Sequence, residues 1–553
     1  MKIFFSILFI LVSLKIQGQS FHLVINSTTN KEQKHIDSIG YQKKHSKVSS
    51  ILDEIKKLDS LLHKSGYISH YITEQKKTND STFTYTYFLG NPILNTKIIT
   101  TKTNQSPKKI LSITKDTITI SFSETEIWIK SQLQILEKKG YSQANIQLTN
   151  QKIHNSSLYS NLDIYLGSSR ITDEIIILGY EKFPKNIHHQ LNKSVKNKTF
   201  NQELVKKINN NLNNLSFITQ VKYPEILFTK DKTSIFAYVN KSKPNKFDGF
   251  IGFSNTDKNK LIFNGYLDLQ LTNILNYGEK FKLFWKNNGE QQTQFDFKAE
   301  IPYLFKTPLG VKTELNIFKQ DSTFQNTKIN TDIGYHFSFS QKIFLGYQKT
   351  TSIDIQNNNT QNLKNFTNQF YTISYEYLKN NFYHYLLPEK TSLLLKLGYG
   401  SRKDNQNKNN QFFAQLEINH LFEINLKNQI LLKNHTFYLN SKDYLTNELY
   451  RFGGINSIRG FRENSLQANI TTGLFTEYRY NLANNLIIHS ILDYAYMEDK
   501  TVSKTNKLLG IGLGFELLSE NGLFHFIYSN GSANNENIKL SNSIIQISFK
   551  TNF

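Results

Sequence analysis

A chain of 553 residues is long enough for several domains, and its 38% hydrophobic content, with 41 Phe and 30 Tyr, supplies ample apolar surface. It contains no cysteine, which excludes disulfide frameworks, thiolate metal sites, cysteine nucleophiles and a lipidated cysteine anchor. The net charge is +22, but the lysines are scattered among Asn, Gln, Ile and Tyr without a continuous basic face. A Lys/Asn-rich composition, with contact to anionic lipid headgroups as the alternative, accounts for that charge, and nucleic acid is not expected as a partner.

Residues 1–18 read as a secretory signal peptide. Lys2 precedes an apolar run from Ile3 to Leu14, and Ile16-Gln17-Gly18 ends on a small residue, after which cleavage is expected. The run is shorter than the roughly 20 residues a helix needs to cross a bilayer, and no later stretch meets that length. A secreted chain of this kind is soluble in the periplasm, exported, or a membrane β-barrel.

The N-terminal half repeats. Residues 51–72 and 125–146 align, with Ile55 matching Ile129, Leu62 matching Leu136, Gly66-Tyr67 matching Gly140-Tyr141, and Ile72 matching Ile146. Ile51, Leu52, Ile55, Leu58 and Leu62 follow the spacing of an amphipathic helix. Ser123 and Glu126 are spaced as a capping box for the second helix, and each Gly stands where a helix must stop. Alternating strands follow, through Phe83, Tyr85, Tyr87 and Leu89 in one copy and Leu158, Leu162, Ile164 and Leu166 in the other. A looser third copy has Val205, Ile208, Leu212 and Leu215 as its stripe, a leading strand at 174–180 and strands near 219–228 and 233–240. The unit is strand, helices, strand, strand in about 75 residues. It resembles the POTRA module, with three generic α+β domains as the alternative. The expected boundaries are 19–92, 93–170 and 171–243.

From about Phe247 the period changes to two, and 246–553 is expected to form a transmembrane antiparallel β-barrel. Leu509, Ile511, Leu513, Phe515 and Leu517 alternate with Gly510, Gly512, Gly514 and Glu516, as a lipid face and a lumen face would. Sixteen strands are expected, starting near 248, 261, 279, 293, 308, 326, 341, 366, 391, 411, 427, 467, 484, 507, 521 and 543. Connections after odd strands include the long stretches 354–365, 400–410, 441–466, 499–506 and 530–541. Those after even strands, such as 423–426, 482–483 and 519–520, are mostly short, with 379–390 an exception. A soluble sandwich has no reason to alternate loop length in this way, whereas an outer-membrane barrel does. The terminal strand, Ile545, Ile547, Phe549, Thr551 and Phe553, resembles the aromatic signal that such barrels offer to their assembly machine. Closure sets it against Phe247, Gly249, Phe250 and Gly252 of the first strand, with Phe250 near Ile547. Glycine weakens strand pairing, so this seam is expected to be the weak one.

The most specific segment is Arg451-Phe452-Gly453-Gly454-Ile455-Asn456-Ser457-Ile458-Arg459-Gly460-Phe461. It resembles the Val/Ile-Arg-Gly-Phe/Tyr motif of the BamA/TamA superfamily, and it falls in the sixth outer loop between strands eleven and twelve. Alternation turns Glu477 and Arg479 of strand twelve, and His489 and Asp493 of strand thirteen, toward the lumen. The resemblance implies that the loop folds into the barrel and that Arg459 meets Asp493 and Glu477, with Gly510, Gly512 and Gly514 leaving room. It also implies a lateral gate at the seam. The family carries Gly two residues after the acid, where this chain has Ala495.

No H-E-x-x-H, G-x-S-x-G or P-loop is present, so the chain is not expected to be an enzyme and no cofactor or metal is expected. His188-His189 reads as a solvated helical pair. Three modules and sixteen strands resemble the TamA-type factor, which implies unfolded outer-membrane or secreted protein clients, outer-membrane lipid, and an accessory periplasmic or inner-membrane protein as partners. The alternative is a two-partner-secretion transporter exporting one cognate protein, which resembles the chain except that it has two modules and a plug helix.

Overall fold

In the computed structural model, residues 20–552 are described except 256–260, 289–291, 357–361, 382–388, 405–406, 521, 535, 539–540 and 542. The signal peptide expected at 1–18 and the terminal Phe553 lie outside the described residues.

The first compact unit reaches Ile171 and includes Thr199–Glu203. It holds two α/β modules of one topology. In the first, strand Phe21–Ser27 lies parallel to Thr82–Phe88, with Tyr71–Asn79 on one edge and the short Lys44–His45 on the other. Helices Asn30–Ile39 and Val48–Lys64 send Ile36, Ile51, Ile55, Leu58 and Leu62 against Leu23, Ile25, Tyr85 and Tyr87. Gly66 ends the second helix at φ +95, and a Cβ there would stand 2.1 Å from the Ile93 carbonyl oxygen, so only glycine fits.

The second module repeats the order. Strand Asn95–Ile99 lies parallel to Ser157–Tyr165, flanked by Thr117–Ser121 and Asn145–His154, under helices Gln105–Ile110 and Thr125–Lys138. The capping box does not form. A 3₁₀ turn, Phe122–Glu124, precedes the long helix, which starts at Thr125 without a side-chain cap. The Ser123 hydroxyl bonds Ser121 Oγ at 2.9 Å, while the buried Thr125 hydroxyl meets Thr96 Oγ1 at 2.7 Å and fixes the entry.

The second unit contains a third α/β sheet and the barrel. Strand Glu174–Leu178 runs parallel to Thr233–Lys241, which also pairs antiparallel with Ile218–Gln220 and Glu225–Phe228. Helix Lys185–Val195 carries His188 and His189, of which His189 is exposed as expected and His188 is not. His188 is half-buried with Nε2 2.9 Å from the Ile175 carbonyl oxygen.

Sixteen antiparallel strands then close a barrel: Lys246–Asn255, Leu261–Thr272, Lys280–Asn288, Gln292–Ile301, Leu309–Gln320, Phe324–His336, Gln341–Asp354, Phe366–Asn380, Glu389–Asp404, Lys408–Glu423, Asn428–Asn440, Ile470–Ala483, Leu486–Asp499, Lys504–Ser519, Gly522–Ala533 and Ile544–Asn552. They are numbered one to sixteen below. Outward positions such as Ile333, Leu345, Tyr371, Tyr399, Leu492 and Leu513 are exposed, while Asn330, Asp332, Thr372, Ser374 and Asp493 are buried inside. An apolar outer face with a polar interior is what a bilayer demands of a strand-built span.

One expected loop is mostly strand. Strands nine and ten continue to Asp404 and resume at Lys408, so most of 400–410 is barrel wall. Arg402 of this stretch, and Gln411 just after it, are buried against the sixth loop.

Candidate functional site: the sixth loop and the seam

The sixth loop, 441–469, enters the lumen as a small hairpin in which Tyr450–Phe452 pairs with Leu466–Ala468. Its turn holds Gly453 and Gly454, and Gly453 N–H donates to Ser457 Oγ at 2.7 Å. Ile458 is fully buried with Phe452, Ala468, Phe475, Ala495, Met497 and Leu508, and Phe461 packs on the same cluster. Ala495 fits because its cross-strand partner is Gly473; the small residue stands on the neighbouring strand.

At the tip, Gly460 adopts φ +86, and a Cβ there would lie 2.3 Å from the Asn530 backbone. A Cβ on Gly510 would lie 2.3 Å from the Arg459 carbonyl oxygen, and one on Gly531 would lie 2.5 Å from that of Gly460. The loop therefore presses backbone to backbone on strands fourteen and fifteen, a contact open only to glycine. Of the three glycines expected to make this room, Gly510 alone meets the loop; Gly512 lies against Tyr528 and Ser529, and Gly514 lies beneath His489.

That approach carries the Arg459 guanidinium to the inner wall. Arg459 Nε donates to Asp493 Oδ2 at 2.8 Å and Nη2 to Asp493 Oδ1 at 2.6 Å, a bidentate fork. Arg459 N–H adds a bond to Asp493 Oδ2 at 2.9 Å, and Nη1 donates to Glu477 Oε1. Arg479, inward on strand twelve, extends the chain of charges. It donates from Nη1 to Glu477 Oε2 and from Nη2 to Glu516 Oε2, both at 2.6 Å. All five side chains are buried, so each charge depends on its neighbours for the solvation it has lost.

A second anchor holds the loop's other limb, and the sequence reading missed it. Arg402, fully buried on strand nine, donates to Glu448 of the loop and stands 2.8 Å from Asp443 Oδ2. Gln411 Nε2 donates to Glu448 Oε2 at 3.0 Å, and Asn447 Nδ2 donates to Ser352 Oγ at 2.6 Å. Here the cation is on the wall and the acid on the loop, the reverse of Arg459. Arg402→Ala leaves Glu448 buried without its cation, which costs about 3–5 kcal/mol locally. The expected result is proteolysis within 441–449 while the Arg459 segment stays protected. Equal protection of both segments in the variant would show that the second anchor holds nothing.

The seam is the other feature. Among the described residues, the register between strands one and sixteen consists of Lys246 with Asn552 and Phe247 with Thr551. Strand one is paired along its whole length on its other side, where Gly249 stands opposite Leu267, Phe250 opposite Tyr266 and Gly252 opposite Asn264. Carried further, the seam register would bring Phe250 opposite Ser548, the neighbour of Ile547. Phe247, Ile545, Ile547 and Phe549 are exposed on the outer face, and Phe553 lies outside the described residues.

No protein-family model matches the chain, and no curated protein matches it in sequence. Among solved structures, CdiB from Acinetobacter baumannii is similar at 14% identity over 91% of this chain and 98% of that one, with a TM-score of 0.52. CdiB from Escherichia coli is similar at 11% identity over 91% and 97%, with a TM-score of 0.51. BamA from Haemophilus ducreyi lacking POTRA domains 1–3 covers 82% of this chain at 15% identity, and its TM-score of 0.45 is too low to weigh. The closed sixteen-stranded barrel, preceded along the chain by α/β modules and holding the sixth-loop motif in its lumen, is thus the fold that the chain shares with these CdiB structures.

Proposed function

We propose that the chain is an outer-membrane assembly or translocation factor, not an enzyme, that receives unfolded polypeptide clients through its N-terminal modules and passes them to the membrane at the barrel seam. The carrying observation is the contrast between a seam with two residue pairs among the described residues and a lumen braced at both limbs of its sixth loop. A short seam opens at lower cost than a loop held by buried ion pairs. The exposed edge strands of the modules, Tyr71–Asn79 and Asn145–His154, support the receiving role, because an extended client adds to an edge through main-chain bonds without a fixed sequence. Three α/β sheets favour assembly over the two-partner-secretion alternative. In this reading the barrel sits in the outer membrane and the modules in the periplasm.

A photo-crosslinking side chain at Phe247 or Ile547 is expected to capture client polypeptide in cells, and the same group at Leu345 on the far wall is expected to capture none. Capture inside the lumen, at Lys328, with none at the seam would overturn the reading.

A further inference from the structure

The charge ladder ends at Glu516, beside two histidines that it does not use. His489 of strand thirteen, Glu516 of strand fourteen and His525 of strand fifteen face the lumen, and their ligand-bearing atoms lie within 4.8 Å of one another. The His489 side chain is fully buried, yet neither ring nitrogen has a hydrogen-bond partner among the described residues, nor does His525 Nε2. Leaving such groups unpaired is costly. Gly514 is the cross-strand partner of His489, and a Cβ there would stand 2.7 Å from His489 Nε2, so the glycine clears the space that the imidazole occupies.

We propose that His489, Glu516 and His525 bind a divalent transition-metal ion of the zinc class. Two neutral imidazoles and one carboxylate are a donor set suited to zinc, cobalt, nickel or copper rather than to calcium or magnesium. The surroundings supply the outer partners that such ligands need. Arg479 holds Glu516 Oε2 and leaves Oε1 facing His525 Nε2 at 3.8 Å. Glu477 Oε2 stands 3.8 Å from His489 Nδ1, beyond hydrogen-bond reach, and a small ring rotation would bring the two together and present Nε2 to the ion. A tetrahedral ion with bonds of about 2.0–2.1 Å sets its donors about 3.4 Å apart, so modest side-chain rotation closes the set. Three protein donors leave the fourth position to water. The ion ties strands thirteen, fourteen and fifteen together one strand from the seam. The ligands are dispersed through the chain at alternating strand positions, and no spacing motif announces them.

The test is titration of the untagged full chain in detergent micelles with Co²⁺, followed by displacement with Zn²⁺. One saturable equivalent is expected, with the visible absorption bands of low-coordinate Co²⁺ that zinc abolishes. His489→Ala, His525→Gln and Glu516→Gln should each weaken binding by at least about 10-fold, in samples whose heat-modifiable migration shows a closed barrel. Wild-type protein without a saturable equivalent overturns the proposal. So does unchanged affinity in any two of these variants that retain the closed barrel.

Discussion

Cysteines at Phe247 and Thr551 are expected to abolish client delivery when oxidised and to restore it on reduction. The two residues are a registered pair across the seam. Paired antiparallel residues have Cα atoms about 4.5–5.5 Å apart, within the span that a disulfide bridges. With a net contribution of about 0.5–1.5 kcal/mol per hydrogen bond, the two residue pairs described across the seam part for a few kcal/mol. A covalent bond removes that motion. The chain has no native cysteine, so no other disulfide can form within it. A control bridge between Leu345 and Ile373, paired on strands seven and eight, should leave delivery intact. The readout is insertion of a reporter client with and without reductant. Full delivery through an oxidised seam would rule out seam opening and favour passage through the lumen.

Arg459→Ala is expected to carry the second-largest effect. It strips Asp493 of a bidentate partner and Glu477 of one donor, and breaking one side of a buried pair costs about 3–5 kcal/mol. The barrel should still close, since its wall is held by sixteen laddered strands. Trypsin should then cut at Arg462, and client delivery should fall. Arg459→Lys should rescue little, because a point charge cannot span two carboxylates as a planar fork does. Wild-type delivery together with an uncut loop in Arg459→Ala would remove Arg459 from the mechanism.

The barrel was legible in the chain because lipid imposes a strict alternation. Once Leu492 and Tyr494 face outward, Asp493 must face the lumen, and the same step places Glu477 between Thr476 and Tyr478. Alternation does not reveal what a polar run does inside a lumen. Residues 400–410 read as loop because Arg402, Asp404 and their neighbours are polar, yet a lumen-facing wall is polar too. The role of Arg402 shows only where Glu448 and Asp443 of a distant loop meet it. Arg479 was placed inward, but its bridge from Glu477 to Glu516 depends on cross-strand register, which period alone does not set. The capping box failed for a similar reason. Ser123 and Glu126 have the spacing, but the buried Thr96–Thr125 contact from another strand chooses the helix start.

The sixth loop also has a mechanical meaning. Besides Arg459 and Arg402, it reaches strand three through Glu463 to Lys286 and strand four through Asn464 to Gln294. On strands five and six, Arg451 lies over the rings of Phe318 and Phe324, and Asn447 O accepts from Asn326. A cylinder slit along one line tends to relax its curvature around the whole circumference. Spokes from an internal hub resist that relaxation, so bending strain from a parted seam stays in the strands beside the slit. The rest of the wall keeps its curvature, and reclosing needs only local movement.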